Sequence, residues 1–337
     1  MTQAFTILFD SLRMLRASKM FWISLWISAL VALSYASIGF TETGLSLGFG
    51  IIDFHLPFLR SGSAEAADFY RLLFTDVIVR FWLGWFALVL ALISTCSIFP
   101  QFLQAGAIEI ALSKPLSRTR LFLLKYLGGL SFVAAQTLLF CVVAFVAVRF
   151  RLDVWAWPIF WAVPIITFSF SLVFCVSALM GICTRSTVFS LLGSLLFWAL
   201  TLVGQWTEDA LYKMAYILPG LGLQMDFLAG GMNEVDPSKS ADLQRTYQKV
   251  NTLVAILPKT RECTLMLKRF IVFDQTHSAH SGRDFNLLLR GESDSEMEKL
   301  MQQYEHRHSI AYLVGSSLVF ELIILGIAIR IFHRRDY

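Results

Sequence analysis

The chain has 337 residues, of which 56% are hydrophobic and only 15% charged, with a formal net charge of +4. That supply of polar surface is too small to cover a water-soluble core of this size, so the composition points to a membrane protein. The apolar runs are continuous rather than alternating, which excludes barrel strands and leaves helices, whose backbone groups pair within their own segment.

Taken in chain order, residues 1–20, "MTQAFTILFDSLRMLRASKM", place Phe5, Leu8, Phe9, Leu12 and Leu15 on one helical face, with Asp10, Arg13, Arg16 and Lys19 away from it. This predicts an amphipathic helix on the cytoplasmic membrane surface, its basic groups towards anionic headgroups. A plain topology anchor has the same pattern. Apolar runs near the ~20 residues needed to cross a ~30 Å hydrocarbon core follow at 21–40, 81–98, 127–148, 158–182, 188–206 and 310–332. The expected fold is therefore all-α and polytopic, with six transmembrane helices. Between the first two spans, 64–79 reads as a helix lying against the outer leaflet.

The connection 207–309 is the only large non-membrane region. Between residues 232 and 309 its acidic and basic side chains are equal in number, as in a folded or membrane-resting insertion rather than a charged tail. Its expected parts are an interfacial stretch at 211–228, broken at Pro219-Gly220, and helices at 241–257, 261–273 and 293–306.

Orientation follows from the basic residues of the short connections. One side collects Arg13, Arg16, Lys19, Lys114, Arg118, Arg120, Lys125, Arg185, Arg334 and Arg335; the other has only Arg60, Arg71, Arg80, Arg149 and Arg151. Both termini are expected in the cytoplasm and 207–309 outside, in a bacterial cytoplasmic (inner) membrane. Cys96, Cys141, Cys175 and Cys183 fall in or beside spans and Cys263 alone lies in the large loop, so five free thiols are expected.

Motifs for covalent chemistry are missing. There is no phosphate-binding loop, no G-x-S-x-G elbow and no H-E-x-x-H helix, so neither an enzyme nor a cofactor is expected. His277, His280, His306 and His308 could meet at a metal, but without cysteine partners or an i, i+4 pair the spacing favours exposed polar residues, and no metal is expected. Within the spans Glu321 is the one clear acid. Either it contacts a substrate or proton, or it hydrogen-bonds across helices, to Gln136 or to a serine or threonine; the second reading is preferred, because proton-driven carriers usually show several such groups.

The segment "GAIEIALSKPLSRTRLFLLKYLGGL", 106–130, is a charged island between two apolar runs. Pro100 suits a helix start and Pro115 forbids continuation, which predicts a short helix at 101–113 and a second one from near Ser117 into the third span. Such an elbow at 99–126 exposes Glu109, Lys114, Arg118, Arg120 and Lys125. It is longer than a connection needs, which suggests a docking surface rather than only a positive-inside anchor.

These residues resemble the membrane subunits (permeases) of the type-2 ABC exporter family, in which a Gly-x-Ile-Glu helix, a Ser-Lys-Pro-Leu-Ser-Arg turn and a Lys-Tyr-x-Gly-Gly span start recur. The ending "IFHRRDY" is similar to that family's terminus. "AILPKTRECTLMLKR", 255–269, is similar to a stretch of some enlarged bacterial members, whereas the 207–309 insertion is longer than is common. The resemblance implies a half-channel that pairs as a homodimer or with a related permease, is embedded in membrane lipids, and binds a separate cytoplasmic ATPase that carries the ATP. It implies that Gly106, Ile108, Glu109, Ser113, Lys114, Pro115 and Arg118 couple that ATPase to the spans, with Glu321 and Gln136 as intramembrane polar groups. No nucleic-acid partner is expected. The rival reading is a scaffold or accessory component of an envelope or motility complex, which recruits a partner without moving solute.

Overall fold

The computed structural model describes residues 19–55, 59, 63, 66, 69–70, 73–104, 106, 108–109, 117–152, 155–220, 223–226, 231–234, 237–270, 304 and 307–335. Among these are six helices long and apolar enough to cross a membrane: span 1 (Lys19–Ser37), span 2 (Phe81–Phe102), span 3 (Arg118–Arg151), span 4 (Trp157–Thr184), span 5 (Thr187–Ile217) and span 6 (Ile310–Arg334). Span 4 is the centre of the bundle, packed on spans 3, 5 and 6, and almost every residue from Ser169 to Ala178 is buried.

Apolar transfer cannot drive helices together in lipid, so close approach and interhelical hydrogen bonds must. Gly129 of span 3 lets Phe174 of span 4 come so near that an added Cβ would meet the ring at 2.7 Å. Ser94 of span 2 donates to Ser24 of span 1 at 3.2 Å, and Ser177 and Ser190 join spans 4 and 5 at 2.9 Å. Around these contacts lie two apolar clusters. One, with Phe99, Phe122, Phe174 and Phe332, fills the end of the bundle that carries the chain's C-terminus. The other, with Tyr35, Tyr70, Phe74, Phe140 and Leu267, fills the opposite end.

The protein is mostly helical, as expected, with two small sheets added among the described residues. β1 (Gly39–Thr41), β2 (Gly44–Leu47) and β3 (Ile52–His55) form an antiparallel sheet directly after span 1, which ends at Ser37 rather than near residue 40. β4 (Leu223–Asp226) and β5 (Gly231–Glu234) form a hairpin. These strands are only three or four residues long, too short for alternation to register in the sequence.

Of the helix expected at 64–79, the part from Leu73 onward is continuous with span 2. Helix α1 (Leu73–Phe86), wound with i→i+5 hydrogen bonds, runs straight into Ala87–Thr95, and Tyr70 and Phe74 are fully buried. Span 5 likewise does not stop near Trp206. It continues through wide turns at Lys213–Ile217 to Leu218–Gly220, where the expected Pro219-Gly220 break ends it; the interfacial stretch expected at 211–228 is thus split between helix and strand.

Two of the three insertion helices are present as α2 (Pro237–Val254) and α3 (Thr260–Phe270). The third lies outside the described residues apart from Tyr304, and so does the amphipathic segment 1–18. All five cysteines are unpaired, and Cys263 is buried.

Candidate functional site

Three polar assemblies stand out, one at each end of the bundle and one within it. At the C-terminal end, the elbow is not the continuous helix expected at 101–113. Pro100 lies inside the helical turn Ile98–Phe102 that closes span 2, where an early proline leaves few backbone bonds unmade. The chain then turns through Gly106, whose φ of 85° lies in the left-handed region that glycine adopts without steric cost. Helical geometry resumes at Ile108 and Glu109. Ile108 is buried in the core cluster and Glu109 is exposed beside it. Ser113, Lys114 and Pro115 lie outside the described residues.

The second elbow helix starts at Arg118 as expected and continues as span 3. Its basic groups are not all free surface. Arg118 donates from Nη1 to the carbonyls of His333 (3.2 Å) and Arg335 (3.1 Å), and Arg335 in turn donates to the carbonyls of Ile182 (2.6 Å) and Cys183 (3.0 Å) at the end of span 4. Lys125 is buried over the Phe102 ring at 5.6 Å. Arg120 and Glu109 remain exposed. The elbow, the C-terminal tail and span 4 are thereby tied into one junction.

Inside the bundle, Glu321 of span 6 is buried between spans 3 and 4. Tyr126 donates its hydroxyl to Oε1 at 2.7 Å and Ser171 to Oε2 at 2.9 Å. Glu321 thus hydrogen-bonds across helices to Tyr126 and Ser171, and not to Gln136. Gln136 is buried elsewhere, against a small cavity between spans 1 to 4 that Ser28 and Thr137 also line, and neither of its amide atoms has a hydrogen-bond partner among the described residues.

The assembly missed in the sequence lies at the far end, where spans 5 and 6 meet the insertion. Gln205 uses both halves of its amide, donating to the Pro258 carbonyl (2.7 Å) and accepting from the Arg261 backbone N–H (3.2 Å), and the Lys259 N–H donates to Ser317 Oγ of span 6 (3.2 Å). This seats the start of α3 between the two spans. Asp209 then collects Arg261 (3.2 Å), Lys213 (3.2 Å), Arg307 (3.3 Å) and the Tyr304 hydroxyl. Arg307 reaches Glu262 at 2.9 Å and Glu208 at 3.8 Å, its guanidinium stacked over the rings of Tyr304 and Tyr212. Burial opposes charge on Arg307, but Glu262 and then Glu208 more than offset it and hold the guanidinium above its ordinary basicity. The Tyr304 hydroxyl is pushed up, first by burial and then by Asp209.

Glu208, Glu262 and His308 each bring one ligand atom within 4.8 Å of the others, a donor set familiar from metal centres. The cation facing these oxygens is however Arg307, and Lys213, Lys259, Arg261 and Arg307 already outnumber the carboxylates Glu208, Asp209 and Glu262. A divalent ion would add charge where cations are in excess, so the arrangement is a desolvated ion network. Of the histidines considered from sequence, His308 joins it, 3.4 Å from Glu208; His277, His280 and His306 lie outside the described residues. The signal was present in "WTEDALYK": two adjacent acids directly after an apolar run, where ionised side chains leaving water require basic partners.

The fold and its polar assemblies define a multi-pass helical membrane protein. Compared with known proteins, the chain matches no protein-family model and no curated protein.

Proposed function

We propose that the chain is the membrane subunit of a type-2 ABC exporter, pairing with a second permease and with a separate cytoplasmic ATPase to move a substrate outwards. The observation that carries this reading is the junction at the C-terminal end. Ile108 anchors the elbow in the core, Glu109 stands exposed next to it, and Arg118 and Arg335 fasten the elbow to the tail and to span 4. On this reading a push on Glu109 reaches the bundle through its neighbour Ile108, which shares the core cluster with Phe122, Phe174 and Phe332 of spans 3, 4 and 6, as a coupling element needs. On this reading the chain performs no covalent chemistry, and the insertion 207–309, fastened by its ion network to spans 5 and 6, caps the exit.

Affinity purification from the native membrane tests the reading. A co-purifying ATPase that carries a phosphate-binding loop and hydrolyses ATP in the complex is the expected result. Recovery of a complex without any ATPase would favour the scaffold reading.

A further inference from the structure

The three-stranded sheet after span 1 buries small and polar side chains and leaves large apolar ones exposed on its edge strand and last turn. Its register puts Leu45 opposite Phe54 and Leu47 opposite Ile52, so these four residues share one face, while Gly39 pairs with Ser46 and Ser46 with Asp53 on the other. The buried positions are Gly39, Gly44 and Ser46, the small and polar set; on the apolar face Phe40 packs on the Tyr70 ring at 6.0 Å, while the edge strand β3 is exposed on both faces, Ile52 by 54% and Phe54 by 47% as well as Asp53 and His55. In water a half-buried sheet shows the opposite pattern, apolar side in and polar side out.

The two ends of the ladder differ in the same sense. The β1–β2 turn carries Glu42 and Thr43, as an aqueous turn should. The β2–β3 turn carries Phe49 and Ile51, exposed by 68% and 84%, with Phe49 held at φ 60° between two glycines that are also in the left-handed region. A bulky residue rarely adopts that conformation. The Phe49 N–H donates to the carbonyl of Ser37, the last residue of span 1, at 3.1 Å. The apolar run of span 1 begins after the basic Lys19 and its helix ends at Ser37, so at about 1.5 Å rise per residue it only just crosses the hydrocarbon. The apolar turn is therefore level with the edge of the bilayer core. At the same end, Arg151 of span 3 donates to the Ala36 carbonyl, Arg149 lies over the Trp155 ring at 4.8 Å, and Trp155 and Trp157 are exposed, the composition of an interfacial belt.

We propose that β1–β3 is a membrane-seated element, with its Leu45, Leu47, Ile52 and Phe54 face and its Phe49-Ile51 turn resting in the lipid leaflet where span 1 ends. The occupant of this surface is lipid: the turn is bonded to the last residue of span 1 and shares its level with Arg149, Trp155 and Trp157, the residue types that face a lipid interface. The inference depends on span 1 crossing the membrane and not on the exporter reading.

Site-directed spin labelling of the full-length protein tests it. In a Cys183→Ser background, which removes the exposed cysteine, Phe49→Cys, Ile51→Cys and Thr43→Cys are labelled separately and reconstituted in nanodiscs of phosphatidylcholine and phosphatidylglycerol. Collision with oxygen, which partitions into hydrocarbon, is compared with collision with a water-soluble nickel chelate. Oxygen should dominate at positions 49 and 51, and nickel at 43. Dominant nickel collision at 49 and 51 would place the turn in water and overturn the proposal. Protection from both reagents would overturn it too, with dipolar broadening then identifying a second copy as the cover and its absence another protein segment. Ile51 lies outside the left-handed stretch, so it keeps the test valid if substitution at Phe49 disturbs the turn.

Discussion

The Nη2 atom of Arg307 lies 2.9 Å from Glu262 Oε1, while Nη1 of the same guanidinium lies 3.3 Å from Asp209, so one side chain ties the approach to span 6 to α3 and to span 5. Removing one partner of a buried ion pair leaves the other charge stranded, at a cost of about 3–5 kcal/mol. Arg307→Met should therefore lower stability by that order in thermal unfolding of the detergent-solubilised protein. Arg261→Met should cost clearly less, because Asp209 keeps Arg307, Lys213 and Tyr304. An Arg307→Met variant within ~0.5 kcal/mol of wild type, the range of an ordinary surface substitution, would show that the network does not fasten the insertion.

Glu321 accepts two hydroxyl hydrogen bonds from two other spans, and an amide oxygen can still accept while removing only the possible charge. Glu321→Gln should preserve assembly and partner-dependent activity. Glu321→Leu should destabilise the bundle, with a coupling to Tyr126→Phe of about 1 kcal/mol in a double-mutant cycle, within the range of polar pairs between membrane helices. Normal assembly of Glu321→Gln with complete loss of transport would instead place this carboxyl on the substrate path.

Burial pushes the Cys263 thiol up to about 12, with Glu262 adding to the effect. The folded protein thus holds this proton more tightly than the unfolded chain, so the group's contribution to stability is complete below about pH 9 and is lost as pH rises towards 12. At neutral pH Cys263 should resist maleimide until the protein unfolds, which makes it a poor reporter of sidedness. Arg245 on α2, with a side chain 78% exposed, is a better one. Arg245→Cys should label with an impermeant reagent from outside intact cells, and the exposed Cys183 only after the inner membrane is opened. The reverse order would invert the topology.

The spans were legible because ~20 apolar residues admit few alternatives, and the start of the second elbow helix was legible because Pro115 precludes a continuous one. Helix ends read less well. Span 5 continues past Trp206 because Glu208 and Asp209, which look like a hydrophilic stop, are neutralised by Arg307 and Arg261 brought from far along the chain. Lys125 looked like an exposed anchor, yet its position over Phe102 depends on how span 3 packs beneath the end of span 2. Glu321 could be singled out as a buried acid from its surroundings in sequence, but Tyr126 and Ser171 became its partners only through the rotation of spans 3 and 4.

The elbow supplies the most direct trial of the proposed coupling. Glu109 is exposed while its neighbour Ile108 is buried in the core, so a change at 109 alters the surface without disturbing the packing below. An exposed ion pair contributes under ~1 kcal/mol, too little for simple removal to reveal, so charge reversal is the sharper probe. Glu109→Lys should leave expression and dimer formation near wild type, yet weaken ATPase docking or abolish stimulated hydrolysis and transport. Arg118→Ala, which removes the hydrogen bonds from the elbow to the His333 and Arg335 carbonyls but leaves the Thr119–His333 contact (2.9 Å), should allow docking but reduce the stimulation of hydrolysis, since it cuts the link to span 4 that runs through Arg335. The two variants separate seating from transmission when docking is measured by co-purification and coupling by ATPase rate in the assembled complex. Full activity in both would reduce the elbow to a topology anchor, and the exporter reading would lose the observation on which it rests.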